Sequence, residues 1–477
     1  MIIYACKEDR IMASRIVRIE SITIDNFKNV THGTLDFENK RKDYKASVLG
    51  LYGQNGSGKT ALIDAIHLLK LALCGKAVPK KYADYINVDT EYATLEYKFV
   101  VRYPEIVYNV WYQFSIRKVI DESAAGNAET THEIATTVEI FDEVFAFSYK
   151  SKNDKMRKAP LIDTRTDKLF TPKAKMQELV GNDKEKYMDL LVTKRLTKAT
   201  SRSFIFSREL INQYRRNCRN ELYMKLIESL YMFGHRELFV IDTESIGLIS
   251  LNTLPLVFKY RNETSEAVGG VLLSLNGPAL IPEDTYGIVE NVIKNMNIVL
   301  EQLVPGLRIG VVDLGSTMTK DGKIAKQIKL ISLKNNKQIP FCYESEGIKK
   351  IVSNLQLLIV VYNNPSVTVA IDELDSGVFE YLLGEMLNII SEKGKGQLIF
   401  TSHNLRPLET IDKGFIAFTT TNQKNRYIRL TNVKGTNNLR DFYYRDIVLG
   451  EQSEQVYNPT NNFEIALAFR EAGEIEI

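Results

Sequence analysis

Leu49–Ile66 reads LGLYGQNGSGKTALIDAI, and the eight residues Gly53–Thr60 within it, GQNGSGKT, fit the phosphate-loop pattern G-x-x-x-x-G-K-[ST] in full. Both flanks agree with that pattern: ASVLGLY before it reads as a buried strand, and KTALIDAIHLLKLAL after it as a long amphipathic helix. Strand, glycine loop, helix is the order in which backbone N–H groups can surround phosphates while the helix N-terminus adds partial positive charge. Gly53, Asn55, Gly56, Ser57 and Gly58 form the expected cradle, Lys59 reaches the terminal phosphates, and Thr60 offers a hydroxyl to Mg2+. The stretch is expected to hold a nucleoside triphosphate.

Whether that nucleotide is hydrolysed turns on a second stretch, SVTVAIDELDS, at Ser366–Ser376. A run of apolar and β-branched residues leads directly into two carboxylates, which places Asp372 and Glu373 at the end of a buried strand. Asp372 can then hold Mg2+ while Glu373 orients and deprotonates the attacking water. A third stretch, QLIFTSHN, reads as another strand ending at His403, where an imidazole could meet the terminal phosphate.

The chain has 477 residues, enough for two or three lobes, with 44% hydrophobic and 25% charged residues. It has no apolar run of about 18 residues, and Lys7, Glu8, Asp9 and Arg10 stand where a signal peptide needs an apolar core, so a cytoplasmic protein without a membrane partner is expected. Met1 and Met12 are both possible starts. Cys6, Cys74, Cys218 and Cys342 have no paired spacing and are expected to be reduced thiols. The net charge of +3 conceals an asymmetry: residues 151–220 hold 18 Lys and Arg against 8 Asp and Glu. Such a segment is either a surface for nucleic acid or an acidic partner, or a solvated, largely helical face.

Four zones follow from the periodicity. Residues 14–150 are expected to hold an N-terminal ATPase half, with the phosphate loop and an antiparallel β subdomain rich in Tyr, Val, Ile and Phe. Residues 151–305 read as a basic, mainly helical insertion, with SRELINQYRRNCRNELYMKLIESLYMF as one helix and GGVLLSLNGPALIPEDTYG as loop. Residues 306–450 return to alternating strand and helix, from RIGVVDL and KQIKLISLK onward, which indicates a mostly parallel sheet. Residues 451–477 form an acidic tail with six Glu against one Arg.

The succession GQNGSGKT, IDELDS, TSHN, together with the opening IVRIESITIDNFKNV and its NFK turn, resembles the ABC-type ATPases of the SMC, RecF and OLD group, specifically the compact AAA-type members found in bacterial defence operons. The resemblance implies an α/β fold: an ABC-type head with a mixed sheet around the phosphate-loop core, an antiparallel β subdomain and a mainly helical insertion. It implies ATP and Mg2+ as ligands, and a homodimer or higher oligomer in which the signature motif of one subunit completes the site of another. YESEGIKKIVSNL matches that signature, with Ser345 and Gly347 in the serine and glycine places, although SEG replaces the transporter-type SGG. The resemblance also assigns Asp375 to the dimer-contact loop that follows. The glutamine loop has no placed counterpart; Gln113 lies in the right zone but inside a strand pattern.

Relatives are separated by what is missing. Lys59 and Asp372 stand 313 residues apart, yet the sequence between them has neither long coiled coils nor a C-x-x-C hook. Only 74 residues follow His403, and no D-x-D motif suggests a Toprim nuclease. The resemblance therefore implies an ATPase that holds or regulates a separate, nuclease-like effector from a neighbouring gene. The alternative is a RecF- or SMC-like DNA maintenance ATPase that uses residues 151–220 on nucleic acid.

Overall fold

The structure is a computed structural model that describes residues 15–39, 45–120, 136–151, 154–261, 266–319, 321–335, 337–431, 438–450 and 452–474. Cys6 and the two possible starts lie outside them. Cys74, Cys218 and Cys342 are free thiols.

The chain opens with a hairpin, β1 (Ile16–Phe27) and β2 (Val30–Asp36), then passes through β3 (Ser47–Tyr52) and the phosphate loop into α1 (Lys59–Leu73). The strands β4 (Tyr92–Arg102), β5 (Ile106–Ile120), β6 (Thr136–Ser151) and β7 (Lys155–Asp163) follow. All of these except β3 form one antiparallel sheet in the order β2-β1-β4-β5-β6-β7. In β4, alternate residues are buried, as expected of a strand with one face on a core. That core also takes the apolar face of α1.

Four helices come next: α2 (Lys173–Val180), α3 (Lys184–Ala199), α4 (Arg208–Asn217) and α5 (Glu221–Arg236). The helix expected across SREL…LYMF is thus broken in two. Cys218 takes up extended backbone and Asn220 accepts from Leu222 N–H to cap a new helix.

Then come β8 (Leu238–Ile241), α6 (Thr243–Ser250), β9 (Thr253–Arg261), β10 (Glu266–Ser274), β11 (Ala279–Pro282) and α7 (Glu283–Leu303). The stretch read as loop around GGVLLSLNGPAL is therefore largely strand. β10 pairs with the preceding β9, and β11 with β13 (Ile324–Lys334), a partner that lies too far along the chain for local pattern to reveal. β12 (Leu307–Met318) pairs antiparallel with β13, and β14 (Lys337–Pro340) adds to its edge, so RIGVVDL and KQIKLISLK form a separate antiparallel sheet rather than part of a parallel one.

The remaining elements are α8 (Glu346–Asn363), β15 (Thr368–Ile371), α9 (Glu380–Lys393), β16 (Gln397–Thr401), α10 (Pro407–Thr410), β17 (Ile416–Thr419), β18 (Tyr427–Ile428), α11 (Leu439–Leu449) and α12 (Asn462–Glu474). The central sheet runs β18-β17-β3-β16-β15-β8, parallel apart from β18. Its strands are largely apolar because both faces are covered: Val48, Leu49 and Leu51 in β3 and Val369, Ala370 and Ile371 in β15 are all buried. The region read as one helical insertion accordingly supplies β7 to the antiparallel sheet and β8 to the central one. Neither short strand has a periodicity that separates it from its helical surroundings.

Candidate nucleotide site

Parallel pairing brings the site together. Leu51 in β3 lies opposite Thr401 in β16, Phe400 opposite Ile371 in β15, and Ile371 opposite Ile241 in β8. The residues that follow these strands, Gly53, His403, Asp372 and Thr243, therefore emerge at one edge of the sheet. The carboxyl ends of parallel strands are where open α/β sheets bind ligands.

At the phosphate loop, Gly53 has φ 153°, and a Cβ placed there would lie 1.7 Å from Thr419 Oγ1, so no side chain fits. Gly58 caps α1 in the left-handed conformation, leaving the first N–H groups of the helix to face outward. Lys59 folds across the loop and donates to the carbonyls of Gly53 at 2.8 Å and Gln54 at 3.0 Å. Burial lowers its pKa, while Asp372, Glu373 and Asp375 pull in the opposite direction, which puts all three carboxylates within its electrostatic reach. Thr60 is exposed at the start of α1, and Ser57 is held by Thr419 and the carbonyl of Gln54.

Asp372 is almost wholly buried, and both its oxygens accept hydroxyl hydrogen bonds: Oδ1 from Thr401 at 2.5 Å and Oδ2 from Thr243 at 2.7 Å. Thr401 Oγ1 in turn accepts from Glu373 N–H at 2.8 Å. Glu373 sits at φ 46°, a left-handed backbone that a non-glycine residue adopts only where its surroundings hold it. Asp375 Oδ2 accepts from the N–H groups of His403 at 3.1 Å and Asn404 at 2.9 Å, fixing the turn that presents the imidazole. Burial and the Lys59 charge lower the His403 pKa against the pull of Asp375, Glu373 and Asp372, which favours the neutral ring.

One hydroxyl, one buried carboxylate and the oxygens of a bound phosphate suit Mg2+, which keeps several waters and needs few protein ligands. Among the described residues no cluster of three or more His, Cys, Asp or Glu could hold a metal ion by itself.

The signature residues are engaged elsewhere in the chain. Ser345 caps α8 by accepting from Ile348 N–H at 3.3 Å. Gly347 lies flat against the loop that follows Asp375, where a Cβ would approach Gly377 O to 2.1 Å. Lys350 Nζ donates to Ser376 Oγ at 2.7 Å, so the start of α8 and the 375–377 loop form one unit. Gln113 lies within β5, paired with Glu96 and Val144 in the antiparallel sheet.

Four residues were missed from sequence. Thr243 follows FVID, which has the same form as the TVAID before Glu373: an apolar strand running into an aspartate. Thr401 lies within the TSHN stretch itself. Asn29, in the NFK turn, donates to Gly56 O, and the neighbouring Lys28 pairs with Asp64 of α1. Arg426 packs its stem on Gly58 and donates to the carbonyls of Asn29 and Thr420; nothing local marks it.

The basic segment spends part of its charge on structure. Lys194 donates to the carbonyls of Thr164, Thr166 and Lys168, Arg165 pairs with Asp163, and Arg215 pairs with Glu228. Lys158 and Lys98 both lie over the ring of Trp111. No helix among the described residues is long and apolar enough to cross a membrane.

The family described as an AAA domain matches residues 21–227, which include the phosphate loop and α2 to α4 and end within α5. Two curated relatives are the DNA replication and repair protein RecF of Chlorobaculum parvum, 46% identical over 55 residues, and that of Chlorobaculum tepidum, 44% identical over 55 residues. Each match covers 12% of this chain and spans only 13% of the relative's length. Among solved structures, a Smc head with the C-terminal domain of ScpA from Pyrococcus furiosus aligns with 87% of this chain and 96% of its own at 12% identity and a TM-score of 0.37. The recombination mediator RecF with ATP aligns with 87% of this chain and 100% of its own at 13% identity and a TM-score of 0.35. Residues 21–227 are thus similar to the AAA domain family, and a 55-residue stretch of the chain is similar to RecF.

Proposed function

We propose that this chain binds ATP with Mg2+ at the Gly53–Thr60 loop and hydrolyses it. The observation that carries this reading is the convergence of Lys59, Asp372, Glu373 and His403 at one edge of the central sheet. Lys59 and the loop amides would hold the phosphates, and Thr60 and Asp372 would hold Mg2+, whose charge would offset that developing on the phosphates. Glu373 accepts a proton from the attacking water, and neutral His403 donates to the terminal phosphate. A Glu373→Gln chain should bind ATP as the wild type does while its turnover falls by about 10²–10⁴-fold. Phosphate release by that variant at the wild-type rate would remove Glu373 from the role of base.

Ser345 and Gly347, on the unit that α8 forms with the 375–377 loop, then meet the nucleotide of a second copy, so that closure is a dimerisation around ATP in the cytoplasm. The work done by closure is assigned to a separate, nuclease-like effector from a neighbouring gene, in an anti-phage defence system. What supports this is the sequence resemblance and the lack of both coiled coils and a D-x-D motif in the chain. The local identity with RecF favours a second reading, DNA maintenance through residues 151–220. Co-purification with the neighbouring gene product, followed by mass determination before and after hydrolysis, separates the two. A partner released on turnover supports the effector, whereas a chain that purifies alone and shifts duplex DNA at moderate salt supports maintenance.

A further inference from the structure

The C-terminal segment is anchored beside the phosphate loop and then leaves the core. Gln455 O accepts from Thr421 N–H at 2.8 Å, Val456 is buried, and Asn458 N–H donates to Gln54 Oε1 at 3.0 Å. Beyond that anchor, every residue of α12 from 462 to 473 is exposed, including Phe463 (76%) and Phe469 (79%). Phe463 with Leu467, and Ile465 with Phe469, are spaced i, i+4, so they form neighbouring apolar ridges on a helix that touches no core. Two exposed phenylalanines on one short helix are a feature of a surface that is covered when it functions.

A surface of matching form lies on α2 and α3. A groove of about 540 Å³ between them is lined by Phe170, Met176, Tyr187 and Met188, and its exposed charged rim holds Lys168, Lys173 and Lys184 against one carboxylate, Asp183. From Met188 an exposed stripe continues along α3 through Val192 and Leu196, at 63%, 55% and 58% exposure, again at i, i+4 spacing. Ridges of i, i+4 residues on two helices interdigitate in the commonest helix packing, and an amphipathic helix laid in an apolar groove is a recurring recognition mode. Charge matches as well: residues 151–220 carry 18 basic against 8 acidic residues, and residues 451–477 carry six Glu against one Arg. Glu464 and Glu471 are exposed on α12 opposite that lysine rim in character.

We propose that α12 of one copy of this chain docks in the α2–α3 groove of a second copy, with Phe463 and Phe469 as its anchors. This contact needs no nucleotide and is separate from closure around ATP. It is measured on the full chain without nucleotide, as weight-average mass against concentration. Wild type should rise above its 54.4 kDa chain mass. The double variants Phe463→Ser/Phe469→Ser and Met188→Glu/Val192→Glu, all at exposed positions, should each weaken self-association by tenfold or more, roughly the loss of one anchor residue. Mixing the two variants should restore association, because the intact helix of one meets the intact groove of the other. The proposal is overturned if wild type stays at the mass of one chain at every concentration, if either variant associates as wild type does, or if the mixture fails to recover. It is equally overturned if Lys168→Glu/Lys173→Glu/Lys184→Glu abolishes binding of duplex DNA and leaves the mass unchanged, since the groove would then serve nucleic acid.

Discussion

The phosphate loop and the Asp372 end of the central sheet form one site but are built in opposite ways. The loop is eight consecutive residues shaped chiefly by their own glycine conformations and by a lysine folded onto the backbone just before it, with Thr419, Asn29 and Arg426 packed around it. The Asp372 end is assembled from β15, β16 and β8, the last of which precedes the other two by more than a hundred residues of chain, and is held by hydroxyls at positions 243 and 401. A contiguous motif carries much of its own support. A carboxylate at the end of a buried strand relies on support brought to it by neighbouring strands.

This contrast predicts different responses to substitution. The largest effect belongs to the loop: Lys59→Ala should abolish ATP binding, with affinity falling beyond about 100-fold in calorimetric titration, while thermal unfolding barely changes. Binding within a few-fold of wild type would show that the lysine folded on Gly53 and Gln54 never transfers to phosphate.

Next comes Thr401→Val, which removes the donor to Asp372 and the acceptor for Glu373 N–H together. Turnover should fall by about 10–100-fold, with ATP affinity affected less than by Lys59→Ala. Thr243→Val removes only the second donor to Asp372 and should cost about tenfold, measured as a raised Mg2+ requirement for turnover. If Thr243→Val proves the more damaging, the position of Asp372 is set by β8 rather than by β16, and the comparison must be redrawn.

The smallest effect is on stability. Burial lowers the pKa of His67, beside Asp242, and of His235 on α5. A histidine depressed in the folded state binds more protons when unfolded, so its contribution is fully present above the unfolded pKa and is lost as pH falls through the folded one. Between about pH 7.5 and pH 6 the melting temperature should drop by roughly 2–4 °C, an amount that His67→Gln should reduce. Asp64 and Glu143, whose pKa values burial raises, act in the opposite sense and nearer the carboxylate range.

The same contrast explains what was legible. α1 spans Lys59–Leu73, the stretch expected to be helical, because a glycine loop, an apolar strand and a 3.6-residue period are all local signals. Asp372, Glu373 and His403 were legible as strand ends. The hydroxyls that orient them were not, because a threonine beside a strand is indistinguishable from any other β-branched residue until its partner strand is known. The break between α4 and α5 was missed since helical periodicity continues across Cys218; β9 to β11 were missed, and β12 and β13 were read as strands but placed in the wrong sheet, because pairing is set by partners and not by a strand's own pattern.

Sequence alone determined the phosphate loop, the strand-end carboxylates, the histidine turn and the charge imbalance between residues 151–220 and the tail. Each of these depends on the identity of neighbouring residues in the chain. Tertiary structure decided which strands lie side by side, that Thr243 and Thr401 converge on Asp372, and that the start of α8 packs on Gly377. It also decided that α12 stands clear of the core while a groove of complementary character lies open on α2 and α3. These are contacts between distant segments, fixed by how buried faces pack together, and no window of sequence contains both sides of them.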